Sequence, residues 1–221
     1  VRHPEEAKAV TDLVREAFER EGLKPPKMIF MAEVPSIGLV PYLFNPYCDG
    51  YSFGTNDYTQ LITGTDRDSP LLPFNEDIPA VRMAIATVAD SAHLENYEKY
   101  GVLGPAEGMA GPDGRYLKEL GICGQAPSDL PGFLKFLAVY LDYVSVNPDA
   151  VMRTLELLVQ VEEELRELCE RCGRDPRKIA LELSREFNLW DPFGRGEPGV
   201  SEFRARWLMA KLGLEPADEK A

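Results

Sequence analysis

The stretch "YSFGTNDYTQLITGTDRDS", residues 51–69, decides how this chain is read. A short run from Tyr51 to Phe53 is followed by Gly54, two small polar side chains (Thr55 and Asn56) and the carboxylate of Asp57. A segment carrying Asp66, Arg67 and Asp68 comes next. A strand that only filled a core would not end this way. Gly-Thr-Asn-Asp puts hydrogen-bonding groups and a charge at the carboxyl end of a strand, which is where ligands bind in parallel α/β folds.

Neighbouring segments repeat the pattern. Upstream, "MIFMAEVP" (28–35) is a continuous apolar run of strand length that reaches Glu33 and is stopped by Pro35, and it reads as a strand buried on both faces. Downstream, "LGICGQAPSD" (120–129) reaches Cys123 and then breaks on Gly124 and Pro127. Val10, Leu13, Val14, Ala17 and Phe18 predict an amphipathic helix over 5–20. Further helices are predicted over 78–92, 131–141 and 145–165. Helices alternating with buried strands imply an α/β fold with a parallel sheet. In a closed (β/α)8 barrel the carboxyl ends of the strands converge on one mouth, so Glu33, Asn56, Asp57 and Cys123 would share a pocket. Only about three βα units are legible where a whole barrel takes roughly 250 residues. The missing strands are therefore expected upstream in a longer chain or from a partner, and the opening "VRHPEEAK" reads as the interior of a longer protein.

Bulk composition narrows the function. With 37 acidic against 24 basic residues the net charge is −13, which repels a phosphate backbone and argues against nucleic acid as a partner. An anionic substrate would need a metal ion or a few placed arginines. Cys48, Cys123, Cys169 and Cys172, without an apolar leader, fit a reduced cytoplasmic protein, and no run has the length of a membrane span. Glu33 and Asp57 offer the oxygen donors that Mg²⁺ takes from a protein, although a strand-end acid also serves as a helix cap or an ion-pair partner. Cys123 reads either as a small buried apolar residue or, at a polar mouth, as a proton-transfer group. The glycine-rich 101–114 reads as a surface connection, or alternatively as a lid. Beyond Gly173 two helices are expected around the loop "WDPFGRGEPG" (190–199), with Trp190 and Trp207 burying a small core or docking on something apolar. Cys169 and Cys172 form a single C-x-x-C without a second ligand pair and are read as structural.

Four ordered blocks, "MAEVPS" (31–36), residues 51–81, "GICGQAPSD" (121–129) and "VSVNPDAV" (144–151), resemble the C-terminal TIM-barrel domain of the PEP-utilising enzymes. "GICGQAPSD" and "DRDS" are more similar to the phosphoenolpyruvate synthase (pyruvate, water dikinase) branch than to pyruvate phosphate dikinase or the phosphotransferase-system enzyme I. The resemblance covers roughly residues 1–165 and implies that residues 1–172 are the C-terminal part of a (β/α)8 TIM barrel, while 173–221, read from their pattern as a helical extension, have no counterpart in it. It further implies Mg²⁺ held by Glu33 and Asp57, pyruvate or phosphoenolpyruvate lined by Gly54, Thr55 and Asn56, and Cys123 as the acid/base at the methyl (methylene) carbon. The activity it implies is phosphoryl transfer between enolpyruvate and a phosphohistidine on another domain. ATP-binding and phosphohistidine domains, and substrate-binding arginines of the earlier strands, would lie elsewhere in the parent protein. His3 and His93 match nothing of the phosphohistidine motif, and this chain alone is not expected to complete the reaction. Residues 80–121 look longer than is usual in the family, so the glycine-rich loop reads as an insertion. A homo-oligomer is expected. The alternative from another class is an oligomerisation or regulatory module that uses the tail.

Overall fold

A computed structural model describes residues 1–106, 108–123, 126–186 and 199–217. Residues 190–198 of the expected tail loop, Trp190 among them, lie outside the described residues, as do Gly124 and Gln125. The elements in chain order are α1 (Pro4–Arg20), β1 (Ile29–Ala32), α2 (Pro35–Leu39), β2 (Gly50–Gly54), α3 (Thr55–Thr63), α4 (Pro79–Tyr100), β3 (Glu119–Cys123), α5 (Ala126–Asp129), α6 (Pro131–Tyr140), β4 (Tyr143–Val144), α7 (Val151–Arg171), α8 (Pro176–Glu186) and α9 (Glu202–Lys211). The four strands form one sheet in sequential order, all parallel, so the α/β expectation holds. Among the described residues no helix is long and apolar enough to cross a membrane.

Local signals explain the boundaries. Pro4 occupies the first turn of α1, with Glu5 and Glu6 beside it and Arg20 in the last turn, all matched to the helix dipole. Three elements differ from the sequence reading. The helix α3 was not foreseen, because "TNDYTQLIT" has little apolar periodicity; it ends on Gly64 in the left-handed region. α4 runs on to Tyr100 because its later buried positions, His93 and Asn96, are polar and hide the period. Asn96 is satisfied by exchanging hydrogen bonds with the backbone of Lys118, at 2.8 and 2.9 Å, ahead of β3. The strand β4 was missed since it has only two residues, and α7 starts at Val151, after a 3-10 turn at Pro148–Ala150.

The reading of "MIFMAEVP" as buried on both faces needs correction. Phe30 and Ala32 are buried, whereas Met31 is 41% exposed and Glu33 half-buried. Alternation puts Met31, Glu33, Ser52, Gly54 and Cys123 on one face of the sheet and Phe30, Ala32, Tyr51, Phe53, Leu120 and Ile122 on the other. The second face, covered by helices, joins Val81, Ile85 and Phe136 in the core. The first stays partly open in this chain. The described residues of 101–106 and 108–117 form turns with one antiparallel bridge among them, Ala110 to Tyr116.

The tail packs into the same core through α8 and α9, and Trp207 is fully buried. Arg204, also fully buried, donates from Nε to Asp90 at 2.8 Å and from both terminal nitrogens to His93 Nδ1 at 3.1 Å. Its guanidinium lies 4.6 Å from the Trp207 ring centre, and His93 stacks on that ring at 4.5 Å. Because Nδ1 accepts, Nε2 must carry the proton, and it donates to Asp142 at 3.1 Å. Burial and the nearby guanidinium pull the His93 pKa down, although Asp142 opposes this. The unfolded imidazole takes up a proton near pH 6.5, while the folded one does so only at lower pH. Stability linked to His93 is therefore full above that range and is lost as pH falls through it. Urea midpoints are expected to drop between pH 7.5 and 5.5, and the drop should shrink in His93→Gln.

Candidate active site

The site grows from the carboxyl edge of the sheet. Glu33 follows the last residue of β1, Gly54 ends β2, and Cys123 ends β3 directly opposite Gly54 in the parallel register. A Cβ built on Gly54 would sit 2.9 Å from Glu33 Oε2 and 3.3 Å from Met31 Sδ. The Cys123 thiol lies 3.4 Å from the same Met31 sulfur and 3.6 Å from the Phe53 carbonyl oxygen. Glu33, the bare backbone of Gly54 and the Cys123 thiol are thus linked by near-contacts around one small region. Glycine at 54 is what leaves room beside the carboxylate.

Thr55, Asn56 and Asp57 form the first turn of α3 rather than the end of a strand. Asp57 is exposed. Neither Glu33 nor Asp57 has a hydrogen bond or ion pair to another side chain among the described residues, so neither acid serves as a salt-bridge partner there. Thr55 and Asn56 are engaged instead by a residue without a role in the sequence reading, Glu76, which is only 8% exposed. The Thr55 hydroxyl donates to Glu76 Oε2. With the Asn56 amide assigned in the orientation that satisfies both of its ends, its nitrogen donates to both Glu76 oxygens, at 2.6 and 3.1 Å, and its oxygen accepts from Arg67 Nη1 at 3.1 Å. The signal for Glu76 was present in "LLPFNEDIPAV", but a carboxylate in a polar loop has no periodicity to mark it as buried.

Residues 1–163 match the family model described as the PEP-utilising enzyme, PEP-binding domain. The chain belongs to the PEP-utilising enzyme family. It is 39% identical over 156 residues to the probable phosphoenolpyruvate synthase of Staphylothermus marinus, covering 67% of this chain and 16% of that protein. It is 35% identical over 167 residues to the phosphoenolpyruvate synthase of Aquifex aeolicus, covering 74% and 17%. To the Escherichia coli phosphoenolpyruvate synthase it is 36% identical over 167 residues, covering 74% and 18%. The chain therefore spans less than a fifth of the length of these relatives.

In this member of the PEP-utilising family, Glu33 beside the bare backbone of Gly54 and the exposed Asp57, neither with a side-chain partner among the described residues, are oxygen donors of the kind a hard divalent cation takes, one or two from the protein and the rest from substrate and water. Among the described residues no group of three or more His, Cys, Asp or Glu side chains gathers as a metal site would require. The other three thiols, Cys48, Cys169 and Cys172, are buried, whereas Cys123 is half-exposed. Burial lifts the Cys169 pKa to about 11, which keeps that thiol protonated and unreactive.

Proposed function

We propose that this chain forms the Mg²⁺-enolate half of the active site of a phosphoenolpyruvate synthase-like phosphotransferase. The observation that carries the reading is the chain of near-contacts from Glu33 across Gly54 and Met31 to the Cys123 thiol at the carboxyl edge of a parallel sheet. Bound Mg²⁺ would act as a Lewis acid, neutralising the oxygen charge that develops when pyruvate loses a methyl proton. Glu33 and Asp57 supply its protein oxygens. Cys123 moves the proton at the methyl carbon, because a thiol needs only a modest environmental shift to work reversibly near neutral pH. Thr55 and Asn56 border the substrate, and Arg67, beside Asn56, supplies a placed cation for a carboxylate or phosphate in a chain whose net charge is −13. The phosphoryl group would come from a phosphohistidine domain elsewhere in the parent protein, loaded from ATP, with the complete enzyme cytoplasmic and a homo-oligomer.

The same reading accounts for the open face of the sheet. Parallel sheets are covered on both faces, yet Met31 is 41% exposed on one of them. α7 carries a second open stripe, Met152, Leu155 and Val159, which are 69%, 51% and 58% exposed. Further βα units closing a TIM barrel would cover both, with residues 1–172 as its C-terminal part and 173–221 as a helical extension. The alternative of an oligomerisation module loses its motive for Trp207, which is buried within the chain.

The test of this role is Cys123→Ala in the complete protein. Exchange of pyruvate methyl protons for deuterium, followed by NMR, is expected to fall by about 10²- to 10⁴-fold, with Mg²⁺-dependent pyruvate binding retained. Unchanged exchange would remove Cys123 from its role.

A further inference from the structure

We infer that Glu76 is a positioning residue that fixes which way the Asn56 amide faces and so holds the Arg67 guanidinium at the site. The inference rests on the reading of this edge as the substrate site. Glu76 is a buried carboxylate, and such a group is tolerated only when hydrogen bonds replace its lost water. It takes them from Thr55 and Asn56, the two residues between the end of β2 and Asp57. An ionised carboxylate can only accept. Facing it, Asn56 must turn its NH₂ inward and its oxygen outward, and that oxygen is what accepts from Arg67 at 3.1 Å. The order of hydrogen bonds therefore runs from carboxylate to amide to guanidinium and has one sense. A neutral amide at 76 would present both a donor and an acceptor and remove that sense, leaving Asn56 free to present either atom.

The loop that carries Arg67 and Glu76, residues 64–78, has no helix or strand of its own. Its arginine reaches Asn56 from one side and its carboxylate from the other, so the Glu76 contact also fixes the loop over the start of α3. Glutamine is nearly isosteric with glutamate, so Glu76→Gln tests the sense of the hydrogen bonds with little change in packing.

The experiment has two arms, both on the complete protein. Without ligand, urea stabilities of Glu76→Gln, Asn56→Ala and the double variant are compared. The two changes are expected to be non-additive, and additivity within about 0.3–0.5 kcal/mol would overturn the clamp whatever the substrate. With Mg²⁺ and pyruvate, Glu76→Gln is expected to raise KM for pyruvate about 10- to 100-fold, with kcat changed much less. A lowered Tm with unchanged KM would mean that Glu76 only stabilises the fold, and would overturn the inference. Failure of the wild-type protein to bind pyruvate would instead contradict the proposed function, leaving the ligand-free arm to decide the clamp.

Discussion

Alanine at Gly50 is expected to destabilise the protein by more than about 4 kcal/mol, at the extreme of what single substitutions do. Gly50 opens β2 and pairs with Ile29 on one side and Glu119 on the other. Its φ of 153° lies where residues with side chains rarely go, and a Cβ there would sit 2.1 Å from the Glu119 carbonyl oxygen and 2.9 Å from its nitrogen. Both neighbours are backbone, so no side-chain rotation relieves the clash. The strand entry is fixed from the other side too: Asp49 accepts from the Met28 amide at 2.8 Å through Oδ2, and its carbonyl accepts from the Glu119 amide at 3.2 Å. An added methyl group must therefore separate β2 from β3, the two most buried strands. A total stability of about 5–15 kcal/mol leaves little margin for this. Gly22→Ala is the control, since Gly22 has a φ of 67° but nothing within 4 Å of the built Cβ. It should cost only the backbone term of about 1–2 kcal/mol. Equal losses for the two variants, read from urea midpoints, would contradict the packing described for the sheet.

The parallel arrangement was legible because each strand ended in a break, Pro35 after Glu33, Gly54 before Thr55 and Gly124 after Cys123, and because the apolar runs between had strand length. What was not legible had physical causes. One open face makes β1 alternate, yet Met31 looks as apolar in sequence as its buried neighbours Phe30 and Ala32. His93 and Asn96 are buried by tertiary partners, a backbone strand entry and an arginine 111 residues away, which no local pattern can announce. The tail was read as a possible docking element because its tryptophans had no visible partner, whereas Trp207 finds His93, Arg204 and Lys211 within the chain. Of the candidate site, Glu33, Asn56, Asp57 and Cys123 could be singled out because strand ends in a parallel sheet are few, whereas the substrate-lining role of Gly54, Thr55 and Asn56 came from the family resemblance. Glu76 could not, since its role depends on a loop folding back over the start of α3.

The second large effect concerns Glu33 and Asp57. Among the described residues neither carboxylate has a side-chain partner, so replacing either by alanine should leave the fold intact and, on the proposed function, remove about half of the protein oxygens a bound Mg²⁺ would receive. Stabilisation by ligand grows as RT ln(1 + [L]/Kd), about 2.7 kcal/mol at a hundredfold excess over Kd. The complete wild-type protein is therefore expected to melt several degrees higher when Mg²⁺ and pyruvate are present together, but not with pyruvate alone. Glu33→Ala and Asp57→Ala should each lose nearly all of that shift while keeping the ligand-free Tm. The decisive measurement is this thermal shift in the three proteins side by side. Its disappearance in both variants is the result predicted for an acid pair sharing one cation, and a shift of wild-type size in both would contradict it.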